Sequence, residues 1–442
     1  MNFKHLVFTG SAILTLFTQN LLAQAVCDPE PLDLVPFLDL QTGTYLGYQA
    51  GLYPGGTNIL SGTHLNDAKS IAKGIKPLDG DGNINYGDGV VLVAGFGPSV
   101  PGHIYNSFVD KVRNPSVTYD LNPCLDAINL CIGGKDINYG IDDTLYEFYW
   151  QAILDKVTDV GYTAAQVQIG WMYFNEKGLT EPPVFPDNSL ELTESYIQFI
   201  NKAKDYFPNL QLMYISSRHF GGFADTTLTE YYSLAEPASY QNNWTVKWTI
   251  EEQINATDIR LKYKGASPNA PLLLWGPNFW CNAEQKRMWD KKRYDCETSF
   301  NPEDGYHLTD MQDGKDATDI LNVLYYGVVG KSFTKNSATW ASCVPYLDTL
   351  AGMREQQPLG DFDLNVSPNP GTGEFYLSLP TDSYAAEIVI TNNLGQVIAT
   401  WKQDENLSTE VLVDITGQPD GLYVARVWQN QQVYTARFIK QQ

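Results

Sequence analysis

Histidine is scarce in this chain: five residues in 442, at positions 5, 64, 103, 219 and 307. Any chemistry that needs an imidazole base must draw on that handful. Positive charge is scarce too, with 29 Lys and Arg against 51 Asp and Glu and a net charge of −22. So acidic a surface repels phosphate backbones, which argues against nucleic acid as a partner and leaves neutral sugars and esters open. Long apolar runs are missing beyond the first 25 residues, so no integral membrane segment is expected. The cysteines, at 27, 124, 131, 281, 296 and 343, contain no C-x-x-C pair. That speaks against a structural zinc site, and no metal or organic cofactor is called for. Internal repeats and low-complexity segments are absent as well.

What is present begins with a leader. Lys4 and His5 precede the apolar stretch "LVFTGSAILTLF", and Ala23-Gln24-Ala25 fits a small-x-small cleavage site. Residues 1–25 therefore read as a secretory signal peptide in preference to a buried helix. An even number of cysteines in an exported chain favours disulfides. Short local loops favour Cys124–Cys131 and Cys281–Cys296, although spacing alone does not fix the connectivity.

Composition breaks near "REQQPLGDFDLNVSPNPGTGEF" (354–375). Beyond it, "GEFYLSLP", "AEIVITN", "GQVIATWK", "STEVLVDI", "GLYVARVW" and "QVYTARFIK" alternate apolar and polar residues between Gly, Pro, Asn and Asp turns. That pattern describes a small all-β sandwich over residues 362–442. The opening "SPNPGTGEF" (Ser367 to Phe375), the turn "NNLGQVI" (Asn392 to Ile398), the strand "GLYVARV" (Gly421 to Val427) and the basic end "RFIKQQ" resemble the C-terminal sorting domain of type IX secretion. The resemblance implies passage through that secretion machinery, to the medium or the outer cell surface. The alternative is a generic carbohydrate-binding sandwich.

Residues 26–358 carry a different rhythm. "VVLVAGF" (90–96), "INLCI" (128–132), "AQVQIGW" (165–171), "LQLMYISS" (210–217) and "PLLLWG" (271–276) are continuous apolar runs of the kind a buried parallel strand needs. Helical patterns lie between them; in "TLYEFYWQAILDKVTDVG" (144–161), Leu145, Phe148, Tyr149, Ile153 and Val157 share one face. Strands alternating with helices argue for an α/β domain, a doubly wound parallel sheet.

Ligands of such sheets bind beyond the carboxyl ends of the strands. "GPSVPG" follows the first run and sets Ser99 on a tight turn, presented like a nucleophile. "GGKD" follows the second, where Gly133 and Gly134 can turn N–H groups toward an oxyanion. Asn175 follows the third and carries an amide able to donate to the same oxygen. Late in the domain comes "EDGYHLTD" (303–310). Its Asp304 and His307 are three residues apart, so the carboxylate can hold one imidazole nitrogen while the other takes a proton from a serine.

These stretches resemble the SGNH (GDSL-like) hydrolase superfamily, which has its nucleophile and its Asp-x-x-His at opposite ends of a three-layer domain. "AGLYPGGTN", "IKPLDGDG", "FPNLQLMYISSRHFGG", "VKWTIEEQI" and "LLWGPNFW" are similar to a secreted bacterial subgroup of it. The resemblance implies an esterase with Ser99 as nucleophile, His307 as base, Asp304 as orienter, and Gly134 and Asn175 as oxyanion donors. The chain departs from the pattern in Gly97-Pro98-Ser99, in Val100, and in the lack of an Asp after Asn175. The expected substrate is an extracellular ester, most of all an esterified polysaccharide. The competing expectation is a non-catalytic glycan-binding or surface protein on a degenerate hydrolase scaffold.

Other residues admit two roles each. Arg218 and His219 either line the cleft or are bonded internally. Trp248, Trp275 and Trp280 form a sugar-stacking wall or pack in the core, with Trp280 the best placed to be exposed. His64 and His103 read as loop residues, and "LDGDGNINYGDG" (78–89) as a polar turn or a calcium loop.

Overall fold

A computed structural model describes residues 27, 33–142, 144–175, 181–224, 232–283, 286–343, 365–378, 386–392, 397–403, 410–429 and 432–441. The expected leader, residues 1–25, lies outside the described residues. The chain divides into two compact units, residues 1–350 and 351–442.

In the first unit, α1 (Gly62–Gly74) precedes a five-stranded parallel sheet. Its strands are β1 (Val91–Phe96), β2 (Leu125–Asn129), β3 (Val167–Met172), β4 (Leu212–Ile215) and β5 (Leu272–Trp275). Helices α2 (Ser99–Arg113), α3 (Tyr146–Asp159), α4 (Asp187–Tyr206) and α5 (Ala238–Asn255) connect them in turn, and α6 (Asp310–Tyr326) follows β5. All residues of β1, β3, β4 and β5 are buried. Burial on both faces is what makes them read as unbroken apolar runs.

The spatial order is β2-β1-β3-β4-β5, with every neighbour parallel. The chain runs outward from β1 to β2, then returns past β1 to β3. Parallel crossovers are right-handed, so α2 lies on one face of the sheet and α3, α4 and α5 on the other. Accordingly α2 packs against α6, and α4 against α5.

Three expectations need correction. The second strand spans 125–129, not 128–132, because a buried carboxylate interrupts its apolar signal. Asp126 accepts two bonds from Arg113, each 2.9 Å, and one from the Tyr162 hydroxyl at 2.7 Å. On α3 the inward face is Tyr149, Trp150, Ile153 and Val157, while Phe148 is exposed. The disulfides are Cys27–Cys296 and Cys124–Cys343, and Cys131 and Cys281 are free and buried. Cys124 and Cys131 flank the two ends of β2. An extended strand of that length holds its ends roughly 20 Å apart, far beyond the reach of a disulfide.

His64 is also not a loop residue: it sits on α1, buried, and its Nε2–H donates to the Leu273 carbonyl at 2.8 Å. The stretch 78–89 is a pair of side-chain-closed turns, with Asp79 accepting from the Asp81 and Asn83 N–H groups and Asn85 from those of Gly87 and Asp88.

The second unit contains β6 (Asn365–Ser367), β7 (Glu374–Ser378), β8 (Ala386–Asn392), β9 (Val397–Gln403), β10 (Glu410–Asp414), β11 (Gly421–Gln429) and β12 (Gln432–Lys440). They form antiparallel sheets of order β9-β8-β11-β12 and β10-β7-β6. Phe375, Leu377 and Val413 from one sheet share a core with Ile388, Ile390, Tyr423, Ala425 and Phe438 from the other. That is a sandwich.

Peptide mapping without reduction is expected to recover Cys27–Cys296 and Cys124–Cys343. Iodoacetamide is expected to label Cys131 and Cys281 only after unfolding. Loss of the Cys124–Cys343 bond in Cys124→Ser closes no long loop in the unfolded chain, and denaturant titration should register about 2–4 kcal/mol of lost stability.

Candidate active site

Two residues separate the end of β1 from the start of α2, and Gly97 is one of them. A Cβ there would press on the Pro101 ring and lie 2.7 Å from the Tyr173 carbonyl oxygen. Ser99 is the first residue of α2, so its N–H has no acceptor within the helix.

The imidazole comes from 208 residues downstream. Ser99 Oγ lies 2.9 Å from His307 Nε2, and His307 Nδ1 lies 2.7 Å from Asp304 Oδ2. The other carboxylate oxygen of Asp304 accepts the backbone N–H of His307 at 2.9 Å and of Tyr306 at 3.0 Å. A carboxylate can only accept, so Nδ1 carries the ring proton and Nε2 is the acceptor that faces the serine hydroxyl. Burial alone would raise the Asp304 carboxyl. The bonds from the His307 ring and from the His307 and Tyr306 backbone outweigh it and hold the group below the usual range.

The loop carrying His307 is itself clamped. Asn301 N–H donates to the His307 carbonyl at 2.8 Å, and Thr309 N–H to the Ser299 carbonyl at 3.0 Å. Thr309 then caps α6 by accepting from the Gln312 N–H. His219, fully buried, donates from Nε2 to the Tyr306 carbonyl at 2.9 Å and accepts the Tyr173 hydroxyl on Nδ1 at 2.6 Å. Burial first, and the Arg218 charge second, push its pKa far down and keep it neutral.

Gly134 has φ +71°, a left-handed conformation that suits glycine, and a Cβ on Gly133 would lie 4.0 Å from the Ser99 Cβ. Neither the Ser99 nor the Gly134 N–H donates to any described acceptor. Ser99, Gly134, Asn175, Arg218 and Tyr306 line one depression of about 410 Å³, open in part to solvent. Ser99 follows β1 and Asn175 follows β3. The depression therefore straddles the point where strand order reverses, where ligands of such sheets bind.

The remaining candidates fall differently. Arg218 lines the depression but is 2% exposed, and its guanidinium donates to Ser239 Oγ and the Leu234 carbonyl. His219 does not line the cleft; it sits behind Tyr306. Trp280, expected as an exposed stacking face, is fully buried, and its indole N–H donates to Glu236 at 2.8 Å. Trp275 is buried as well, whereas Trp248 keeps part of its surface in solvent.

Sequence reasoning missed Tyr173, and His103, expected in a loop, lies on a helix. His103 is four residues beyond Ser99 on α2, so helix spacing alone puts it beside the nucleophile. Its ring stacks on His307 with centroids 5.8 Å apart. Crowding of its ring, then the proximity of His307, lowers its pKa. Among the described residues, no group of three or more His, Cys, Asp or Glu is placed to hold a metal ion.

Residues 365–441 match the family described as the secretion system C-terminal sorting domain. The tail thus addresses the chain through the type IX machinery to the cell surface or the extracellular space. Among the described residues no helix is long and apolar enough to cross a membrane. No curated protein matches the chain. Solved structures similar to it include an endo-beta-1,4-mannanase double mutant from Cellulomonas fimi, at 12% identity over 85% of this chain and 68% of that one, with a TM-score of 0.20. An engineered protein matches at 12% identity over 77% of this chain and 58% of its own, with a TM-score of 0.18. Scores this low carry nothing about fold or activity.

Asp313, in the first turn of α6, is 3% exposed, and its Oδ1 has no hydrogen-bond partner among the described residues. Burial first, then Asp316 and Asp310, raise its pKa to about 8. Between about pH 4 and 8 the unfolded chain gives up this proton while the folded chain keeps it, so stability falls across that window. Asp313→Asn is expected to raise the melting temperature at pH 8 and to change it little at pH 4. A lower melting temperature at pH 8 would show the carboxylate to be stabilising.

Proposed function

We propose that residues 26–358 form an SGNH-type hydrolase domain and that the protein is a secreted serine esterase. The observation that carries this is the unbroken line from Ser99 Oγ to His307 Nε2 and from His307 Nδ1 to Asp304, at 2.9 and 2.7 Å, in an open depression. A serine hydroxyl is barely ionised at neutral pH, so its attack needs such a base.

In the proposed reaction, Ser99 Oγ attacks the ester carbonyl as its proton passes to His307 Nε2. Asp304 keeps the ring oriented and balances the imidazolium. The N–H groups of Ser99 and Gly134, with the Asn175 amide, take the oxyanion; one such donor is worth about 3 kcal/mol of barrier. His307 returns the proton to the departing alcohol. Water then repeats the sequence on the acyl-serine and releases the acid. An acylated extracellular polysaccharide is the substrate class that fits export and an acidic surface that disfavours polyanions.

The competing reading, a glycan-binding protein on a degenerate scaffold, gives no reason for a doubly bonded Asp304 to fix the His307 tautomer beside a serine. Turnover of p-nitrophenyl acetate decides between the two. The wild type is expected to turn over, Ser99→Ala to fall to background, and Asp304→Asn to lose about 10³–10⁴ in kcat by favouring the wrong tautomer. Equal rates for wild type and Ser99→Ala would remove the esterase.

A further inference from the structure

A second pocket adjoins the depression, and Asn175 and Arg218 line both. It is open in part to solvent and lies between the N-terminal turns of α4 and α5, with Ser189, Ser233, Gln241 and Thr245 among its walls. Arg218 is the one ionisable residue among its described walls, and its guanidinium already donates to Ser239 and Leu234. The rest offer amides, hydroxyls and short apolar groups. One of those hydroxyls is unusual. Ser233 is 5% exposed, and its Oγ has no hydrogen-bond partner among the described residues. A buried hydroxyl left unpaired is costly, and a bound ligand would satisfy it.

The surface beside this pocket is aromatic. Gln241, Thr245 and Trp248 follow one another at helical spacing on α5, so Trp248 continues the stripe that lines the pocket. Phe185 stacks on Trp248 at 5.8 Å, and Tyr48 sits 5.2 and 5.6 Å from those two rings. Tyr48 is 40% exposed, and Phe185 and Trp248 are each partly so. Tyr45 ties the two regions together: its hydroxyl accepts from the Gln241 amide at 3.2 Å, and its ring meets Phe185 at 5.2 Å. Aromatic faces beside neutral hydrogen-bonding groups are what a sugar ring requires, since it presents an apolar C–H face and a rim of hydroxyls.

The geometry points to a glycan cleft. A neutral polysaccharide chain lies across Tyr48, Phe185 and Trp248, sets one sugar against Ser233 in the pocket, and extends past Asn175 and Arg218 toward Ser99. The last contact rests on the esterase reading; the cleft itself does not. Ser233 donates to or accepts from a sugar hydroxyl, and the stacked rings bind the chain without regard to its acyl groups.

The test separates the cleft from the chemistry. Soluble xylo-, manno- and cello-oligosaccharides without acyl groups are titrated into Ser99→Ala and followed by calorimetry and tryptophan fluorescence. At least one is expected to bind, and Trp248→Ala and Ser233→Ala in the same background are each expected to weaken it about tenfold. Ser233→Ala should also leave the melting temperature unchanged or higher, since it removes an unpaired buried group; a merely structural hydroxyl would not alter sugar affinity. Tyr48→Ala, at an exposed position, repeats the test where folding is not at risk. The cleft is overturned if none of the three sugars binds, if affinity is the same in all variants, or if acidic oligogalacturonate binds more tightly than the neutral sugars. Wild-type turnover of p-nitrophenyl acetate without sugar binding overturns the cleft alone. Sugar binding without turnover leaves the cleft standing and overturns the esterase.

Discussion

Everything at this site depends on one loop, residues 300–309, delivering an imidazole to the carboxyl end of β1. Loops carry backbone groups that must be satisfied. Here the loop spends its own groups on rigidity: Asn301 and Gly305 N–H are bonded within it, and the Tyr306 carbonyl takes the His219 Nε2–H. Beneath it, Lys292 pairs with Asp316 at 2.7 Å and Asp319 at 2.6 Å, while the Tyr294 hydroxyl and the Gln312 amide complete the coordination of Asp316. Asp316 is fully buried. Such a pair adds little net stability, but stranding one partner costs about 3–5 kcal/mol, so the arrangement tolerates few alternatives. It fixes α6, and α6 fixes the loop that precedes it.

The electrostatics around His307 are arranged to keep competing cations away. His219 is held neutral by burial, and Arg218 has its guanidinium turned to Ser239 and Leu234. His103, whose ring centroid lies 5.8 Å from that of His307, has a lowered pKa and stacks on it at an interplanar angle of 30°. A charged ring in that place would oppose the imidazolium that the proposed reaction forms. Asp304 is the single ionised partner bonded to the His307 ring among the described residues.

The sequence revealed the parts whose signal is local. Five buried strands stood out as apolar runs because both their faces are covered, and Asp304 and His307 stood out because three residues of separation is a turn. What escaped was set by long-range geometry. No local pattern shows that Arg113 and Tyr162 bond Asp126 inside β2, so the apolar signal of that strand begins three residues late. Disulfide partners 219 and 269 residues apart have no local trace, and the short stretch between Cys124 and Cys131 is spanned by a strand. The tryptophans misled because a strand-end indole can face a cleft or find a buried carboxylate, and Trp280 found Glu236.

One helix links these observations. α5 is buried almost all round, yet Gln241, Asn242, Asn243, Thr245, Lys247, Thr249 and Gln253 are among its buried residues. Apolar side chains would pack as well at less desolvation cost, so the polar ones need a reason. Their partners supply it. Asn242 accepts the Arg218 N–H, Lys247 donates to the Gly51 and Tyr53 carbonyls, and Gln253 donates to the Leu261 and Pro271 carbonyls. These are irregular backbone groups in the loops around the sheet, which no ladder can satisfy. A fold that binds ligands beyond its strand ends must bury such loops, and a buried loop needs side-chain partners. The polar interior of α5 meets that demand, and the neutral pocket beside it follows from the same requirement. In that pocket the Ser233 hydroxyl is left without a partner among the described residues.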